Sequence, residues 1–282
     1  MTLQIKPLSS ALGAEISGLD LTKPLSDEDL AAVKQAYMDY HLLCLRSAPL
    51  TPPQFAAFSK QFGEPQLQLV RRRRNEEAPE VAVHETTYEK PEDKPDDIQM
   101  IRLSGWHTDD SFMEEPCRFT LLQSIKIPDS GGHTRFCNVT RAYSELTDDE
   151  KKRLEGLKAV HDYDTRRAPA RPTALTKAEK AETHEVTHPL VITQPESGKK
   201  AIYYNFNRTD RVVGMERSES DALLDWVDEK ITQPDYRYEH EWRVGDILFW
   251  DNRGVIHSVN MDFPVGQKRI HQRVMLKGDR PG

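Results

Sequence analysis

The stretch that decides the fold is residues 245–257, which read Gly-Asp-Ile-Leu-Phe-Trp-Asp-Asn-Arg-Gly-Val-Ile-His. A glycine turn precedes an apolar run of strand length, and the run gives way to polar residues and then to His257. This order predicts a buried strand with a polar end. Because a buried strand is rigid, side chains at its end are suited to hold a ligand in fixed geometry.

A second stretch, Trp106-His107-Thr108-Asp109, supplies the partners of His257. Residues two apart on a strand point to the same side, so His107 and Asp109 can clamp one cation. Two imidazoles and one carboxylate leave positions open on an octahedral iron(II) ion, whereas a structural zinc site closes its shell. The sequence therefore predicts that His107, Asp109 and His257 are metal ligands and catalytic residues.

The length of the chain predicts the number of domains, and its net charge argues against some classes of binding partner. A chain of 282 residues can form one β-rich domain with a sizeable core, and we expect a single domain over residues 1–282. The net charge of −7 argues against binding to nucleic acid or to an anionic membrane. With no long apolar run and three isolated cysteines, we expect a cytoplasmic protein whose thiols are reduced.

Local patterns predict the elements around the site. Helices are expected to start at Ser26, Thr51, Thr147 and Ser218, each a good N-cap residue. Strands are expected over residues 188–193, 201–204, 245–250 and 268–276. Charged stretches near 71–100 and 164–185 have few apolar residues, so we expect loops there that could close over a site as lids.

Several ordered motifs resemble the taurine dioxygenase (TauD/TfdA) family of iron(II)/2-oxoglutarate-dependent oxygenases. The resemblance is nearly full-length. Its motifs are residues 12–21, 58–63, 106–112, 128–134, 188–191, 250–253 with His257, and 269–273. It implies a mainly β fold with flanking helices, a double-stranded β-helix of jelly-roll type.

The resemblance also assigns residues position by position. His107, Asp109 and His257 match the iron ligands. Thr134 matches the threonine that contacts the 2-oxoglutarate carboxylate, although it could simply start a strand after the Gly-Gly turn, and Arg269 matches the arginine that pairs with the distal carboxylate. Arg273 matches a position that helps fix the anionic group of the prime substrate or of the cosubstrate. Physical chemistry independently favours an arginine here, because a guanidinium fork matches a buried carboxylate in two places. Arg269, His271 and Arg273 alternate along the predicted strand and so share a face.

The implied activity is that of an oxidoreductase with iron(II), 2-oxoglutarate and dioxygen. A C–H bond of the substrate is hydroxylated while 2-oxoglutarate gives succinate and carbon dioxide. If the hydroxylated carbon bears a heteroatom, its bond to that heteroatom then breaks.

The substrate is expected to be a small organic carboxylate, sulfonate or sulfate. Candidate substrate residues, which follow motif segments, are Gln68, Asp110, Arg166, Arg167 and Arg208. Taurine itself is disfavoured, because residues 62–68 read Phe-Gly-Glu-Pro-Gln-Leu-Gln and lack the histidines of taurine enzymes. The run Arg71–Arg74 could recruit an anion, although a solvated loop face is the simpler interpretation.

Two other classes of function remain open from the sequence. A zinc hydrolase could use the same three ligands with a bound water, and it would have no need of Arg269 or Thr134. A non-catalytic jelly-roll binding protein is the other alternative. We expect the protein to form a homo-oligomer and to bind a small anionic organic substrate.

Overall fold

The computed structural model describes residues 3–89, 105–167 and 174–282. Its largest sheet runs in the order β1-β2-β3-β14-β6-β16-β4, with β5 also paired to β16. Every pairing in this sheet is antiparallel except β2 with β3. Its strands are β1 (Gln4–Pro7), β2 (Ala14–Ser17), β3 (Leu42–Leu45), β4 (Pro65–Gln66), β5 (Ala82–Thr87), β6 (Phe119–Lys126), β14 (Ile247–Asp251) and β16 (Lys268–Leu276).

Smaller sheets complete the architecture. One has the order β13-β7-β15, another β12-β8-β9, and β10 pairs with β11. Their strands are β7 (Thr134–Asn138), β8 (Lys158–His161), β9 (Val186–Pro189), β10 (Val191–Thr193), β11 (Lys200–Ile202), β12 (Thr209–Val212), β13 (Arg237–His240) and β15 (Val255–Val259). The strand predicted over residues 188–193 is divided by a bend at Leu190 into the end of β9 and β10, which belong to different sheets, and the strand predicted over 201–204 ends at Ile202. The late strands are confirmed, although β14 begins at Ile247 rather than at Gly245. The polar stretch 251–254 links β14 in the large sheet to β15 in a smaller one.

Helices lie outside the sheets: α1 (Asp27–Tyr40), α2 (Pro52–Ser59), α3 (Val139–Ser144), α4 (Asp148–Leu154), α5 (Lys177–Lys180) and α6 (Arg217–Ile231). The helix starts predicted at Ser26, Thr51 and Thr147 are confirmed, and each of these side chains accepts a hydrogen bond from a first-turn backbone N–H. The fourth helix begins one residue before Ser218.

The apolar core is divided between the faces of the sheets. Helices α1 and α2 pack Val33, Phe55 and Phe58 against Phe249 and other side chains of the large sheet. A second cluster joins α3, α4 and α6 to β10 and β11. The buried cysteines Cys44, Cys117 and Cys137 are unpaired, as expected for core thiols.

The expected loop over residues 71–100 is wrong for part of its length. Arg71–Arg73 form a 3-10 turn, and residues 82–87 form β5, which pairs with β16 in register from Ala82 to Thr87. The charged residues on both sides hid this strand, although residues 82–87 themselves carry only one acidic side chain and three β-branched residues, which favour a strand. Residues 90–100 and 168–173, within the two expected lids, lie outside the described residues.

Candidate active site

The three predicted metal ligands, His107, Asp109 and His257, come together beside a β-bridge. His107 and His257 form an isolated β-bridge in which each backbone N–H donates to the other residue's carbonyl, at 2.9 and 2.8 Å. Asp109 follows in the next turn. One ligand atom from each of His107, Asp109 and His257 lies within 4.8 Å of the other two, so a single ion can contact all three.

Both imidazoles are prepared to bind a metal. The Nδ1 of His107 lies 2.9 Å from the carbonyl oxygen of Gly105, and a proton donated there leaves Nε2 free for a metal. The ring of His257 packs against Trp250 and Phe136, with centroids 4.8 and 5.9 Å away. Burial and the neighbouring His107 lower the pKa of His257 to about 3, so its ring is neutral at physiological pH. A neutral ring is the form that ligates a metal.

Asp109 is held by a hydrogen-bonded network. Its Oδ2 accepts from the Thr120 hydroxyl at 2.7 Å, and its Oδ1 accepts from Nη1 of Arg273 at 3.1 Å. Asn252 accepts from the Asp109 backbone N–H at 3.2 Å and donates to Thr120 Oγ1 at 3.0 Å. Although burial alone would raise the pKa of Asp109, Arg273 and the two histidines lower it below its usual range. We term His107, Asp109, His257 and Arg273 the metal end.

The donor set fits iron(II). Two neutral nitrogens and one ionised oxygen, fixed on one side of a cavity, leave coordination positions for further ligands. Partners of this kind orient metal ligands and tune their basicity. Sequence reasoning missed Thr120 and Asn252, although Asn252 stands at the polar end of the stretch 245–257 that pointed to the fold.

Arg269 and Thr134 lie at the other end of the cavity. Nε of Arg269 donates to the Gly132 carbonyl at 2.9 Å, and Nη2 donates to Thr134 Oγ1 at 3.2 Å. In the described ranges no carboxylate lies within 4.0 Å of this guanidinium. Burial lowers the pKa of Arg269 to about 10, so it remains a buried cation at pH 7. With His271, which follows on the same face of β16, these residues form what we term the arginine end.

Both ends line one cavity of about 340 Å³. Its charged walls carry Arg73, Arg208, Arg269 and Arg273 together with Asp109 and Asp110, and its apolar wall includes Leu69, Phe112, Leu122 and Met275. Burial and the adjacent Asp109 raise the pKa of Asp110 to about 6. The described lining thus has more cations than anions, which favours a negatively charged ligand.

The structure separates the candidate substrate residues into two groups. Gln68, Asp110 and Arg208 line the cavity. Arg208 lies over the Tyr163 ring at 4.4 Å, and Gln68 Oε1 accepts from Nη2 of Arg273 at 2.5 Å.

Arg166 and Arg167 lie elsewhere. Arg167 pairs with Asp221 and Asp225 of α6 at 3.0 and 2.6 Å, and Arg166 is exposed beside Asp210. Neither lines the cavity that contains the metal end, so their proximity to a motif in sequence did not place them in it.

The arginine run also divides. Arg73 lines the cavity, whereas Arg71 and Arg72 are exposed and contact residues of the second charged stretch. The interpretation of a solvated face therefore holds for Arg71 and Arg72 but is wrong for Arg73. The 3-10 turn causes the difference, because it directs successive side chains to different sides.

Comparison with known proteins places this geometry in a family. The family model described as "Taurine catabolism dioxygenase TauD, TfdA family" matches residues 4–275. The chain belongs to this family. An alkylsulfatase from Acinetobacter baylyi is 29% identical over 98% of this chain and 86% of its own length. An alpha-ketoglutarate-dependent 2,4-dichlorophenoxyacetate dioxygenase from Cupriavidus pinatubonensis is 28% identical, with 91% and 92% covered.

Solved structures agree with the sequence relatives. The crystal structure of a taurine dioxygenase from Burkholderia xenovorans superposes with a TM-score of 0.83 at 31% identity, covering 99% of this chain and 90% of that one. The expected jelly-roll fold and the dioxygenase activity are confirmed. The expected cofactors, iron(II), 2-oxoglutarate and dioxygen, are confirmed as those of this family. The family assignment decides against the zinc hydrolase and the non-catalytic binding protein.

Within the three described ranges, no helix is long and apolar enough to cross a bilayer.

Proposed function

We propose that this protein hydroxylates a C–H bond of a small organic anion and converts 2-oxoglutarate to succinate and carbon dioxide. The observation that carries the proposal is one cavity with a metal triad at one end and, at the other, a buried arginine with no carboxylate partner in the described chain. A dicarboxylate that ligates the metal and extends to Arg269 satisfies both ends.

The residues of the metal end hold and orient the metal. Iron(II) held by these residues would supply the activation of dioxygen, with 2-oxoglutarate as the source of electrons. His107 and His257 contribute neutral rings, and Asp109 contributes a negative charge that Thr120 and Arg273 keep in position. The rings of Phe136 and Trp250 pack against His257 and would shield this side of the site from water.

The arginine end binds the far carboxylate of the cosubstrate. The guanidinium of Arg269 supplies the matching charge, and its bonds to Gly132 and Thr134 fix the direction of the fork. Because the site is buried, an ion pair formed there is screened little by water. Arg273, four residues further along β16, contacts Asp109 and Gln68, and its predicted role toward an anionic ligand stays a prediction.

A second anion is supported by two further arginines of the cavity wall. Arg73 and Arg208 both line the cavity, and the Arg208 guanidinium lies over the rings of Phe112 and Tyr163 at 5.6 and 4.4 Å. Cations beside aromatic walls suit a substrate with an anionic group and an apolar body. We therefore propose a carboxylate, sulfonate or sulfate ester of this kind.

Cleavage of a heteroatom bond is part of the proposal. If the hydroxylated carbon carries oxygen, sulfur or nitrogen, the new hydroxyl becomes a carbonyl as the heteroatom leaves with the electron pair of its bond. The relatives named as an alkylsulfatase and a dichlorophenoxyacetate dioxygenase support substrates that contain such bonds.

A single titration series tests these points. Purified protein is mixed anaerobically with Fe(II) and 2-oxoglutarate, and the visible charge-transfer absorption is recorded as candidate substrates are added. Succinate release in air is then measured for matched pairs, such as an alkyl sulfate and its alcohol, or an aryloxyacetate and its methyl ester. We expect the anion of each pair to stimulate succinate release more strongly; equal or greater stimulation by the neutral partners would refute an anionic substrate.

Other aspects of the molecule stay predictions from the sequence. These are its cytoplasmic location, its assembly as a homo-oligomer, its organisation as one domain over residues 1–282, and the closure of its charged loops as lids. Neither a nucleic acid nor a membrane is expected as a partner, on the ground of the negative net charge.

A further inference from the structure

His271 is a buried imidazole in the cavity wall whose nitrogens have no protein partner. It lies on β16 between Arg269 and Arg273 and is 0% exposed. Within the described residues, neither Nδ1 nor Nε2 makes a hydrogen bond. A buried polar group left in this state is destabilising, so a function in ligand binding is the natural explanation.

The residue opposite His271 provides an internal comparison. His84 is its register partner on β5, and both rings face the cavity. His84 has protein partners for both nitrogens: Nδ1 lies 3.3 Å from Nη1 of Arg73, and Nε2 lies 3.4 Å from Oε1 of Gln68. Histidines on this wall can therefore be satisfied by protein atoms, and His271 is not.

The surroundings of His271 tie it to the arginine end. Its ring packs edge-to-face on Trp242, with the centroids 4.5 Å apart. The indole N–H of Trp242 donates to Thr134 Oγ1 at 3.1 Å, and Thr134 Oγ1 also accepts from Arg269. His271, Thr134 and Arg269 thus belong to one packed group.

His271, Thr134 and Arg269 each retain a hydrogen-bond donor that is not used within the described part of the chain. Thr134 Oγ1 already accepts two bonds, and its own proton has no acceptor in the described part of the chain. Arg269 uses Nε and Nη2, whereas Nη1 has no recorded acceptor there. His271 adds a ring N–H. Three donors from three side chains match a carboxylate, whose two oxygens together accept up to about four hydrogen bonds.

We propose that His271 is a third hydrogen-bond donor, beside Arg269 and Thr134, to the distal carboxylate of 2-oxoglutarate. This assignment rests on the proposed function, which orients the cosubstrate toward Arg269. Burial and the nearby Arg269 lower the pKa of His271 well below its usual value, so the ring is neutral. A neutral donor strengthens binding while Arg269 alone balances the single charge of the carboxylate.

The test compares two ligands that differ at one group. Calorimetry on the Mn(II)-loaded protein measures the dissociation constants of 2-oxoglutarate and 2-oxovalerate. The two ligands share the 2-keto-acid group and the chain length, but 2-oxovalerate has a methyl group in place of the distal carboxylate. His271→Phe is expected to weaken 2-oxoglutarate about tenfold or more, as for loss of a hydrogen bond to a charged group, and to leave 2-oxovalerate unchanged. His271→Gln, whose amide can donate, is expected to recover part of the loss.

A second variant guards against a folding defect. Methionine fills irregular space without a donor, so His271→Met serves if His271→Phe melts at a much lower temperature. An unchanged affinity for 2-oxoglutarate in the folded variant would overturn the inference, and so would an equal loss for both ligands, which indicates a packing role.

Arg269→Ala distinguishes the role of His271 from the orientation of 2-oxoglutarate on which that role depends. If Arg269→Ala leaves 2-oxoglutarate affinity intact, the orientation of the cosubstrate is wrong. If Arg269→Ala weakens binding and the His271 variants do not, only the role of His271 is refuted.

Discussion

The metal end and the arginine end occupy one cavity, but their charged groups, Asp109 and Arg269, are in opposite states. At the metal end the Asp109 carboxylate has protein donors on both oxygens, and its charge is matched by Arg273. At the arginine end a cation and its neighbours retain donors for which the described chain offers no acceptor. A satisfied network fixes ligand atoms for a metal, while surplus buried donors fit an anion that arrives with the reaction.

The strongest way to break this comparison is to remove a metal ligand. His107→Ala, Asp109→Ala and His257→Ala are each expected to abolish succinate formation and bound iron, because each removes one ligand atom from the three. Iron content and succinate are measured together with the melting temperature. Full activity in any folded variant would remove that residue from the triad.

The arginine end is expected to respond differently. Arg269→Ala should raise the KM for 2-oxoglutarate. The expected loss of binding free energy is about 2–5 kcal/mol, because a buried carboxylate loses its charged partner. Iron content should be that of the unaltered protein, because Arg269 contacts no metal ligand. An unchanged KM would transfer the cosubstrate role to Arg273 or to another cation.

Two buried threonines sharpen the comparison as a matched pair. Thr120 donates to Asp109 at the metal end, and Thr134 contacts Arg269 at the other. Valine has the same shape without the hydroxyl. Thr120→Val is expected to weaken iron binding about 10- to 100-fold, as for other partners of metal ligands. Thr134→Val is expected to raise the KM for 2-oxoglutarate about tenfold.

The two variants should affect different quantities. Thr120→Val should leave the KM for 2-oxoglutarate unchanged, and Thr134→Val should leave iron affinity unchanged. If both substitutions weaken iron and cosubstrate binding equally, the two ends are not separate in function.

Much of this arrangement could be predicted because it depends on short patterns. The stretch 245–257 predicted strand β14 and placed His257 at the edge of the core, and the alternation along β16 predicted that Arg269, His271 and Arg273 share a face. Strand β5 was not predicted, because its pairing with β16 is non-local and the residues on both sides of it are highly charged. Arg167 could not be excluded in advance either, since its partners on α6 are more than fifty residues away in sequence.

The smallest expected effect concerns the run Arg71–Arg74 and asks which of its arginines contributes to binding of an anionic substrate in the cavity. Arg73 lines it, whereas its neighbour Arg72 is exposed and donates to the Ala174 carbonyl at 3.1 Å. Arg73→Ala is expected to raise the KM for an anionic substrate roughly fivefold, which corresponds to a loss of about 1 kcal/mol of binding free energy. The effect is small because Arg73 is partly exposed and water weakens its charge interaction. Arg72→Ala removes the same charge from the same turn and is expected to leave this KM unchanged.

Initial rates with an anionic substrate and its neutral analogue distinguish a local contact from a general field. A contact in the cavity predicts that Arg73→Ala affects the anion alone and that Arg72→Ala affects neither. Equal effects of the two variants on the anion would mean that the run attracts substrate by long-range charge, and both effects should then disappear at high salt. In that case Arg208 would be left as the cation near the aromatic wall, and the specificity for anions would rest on it.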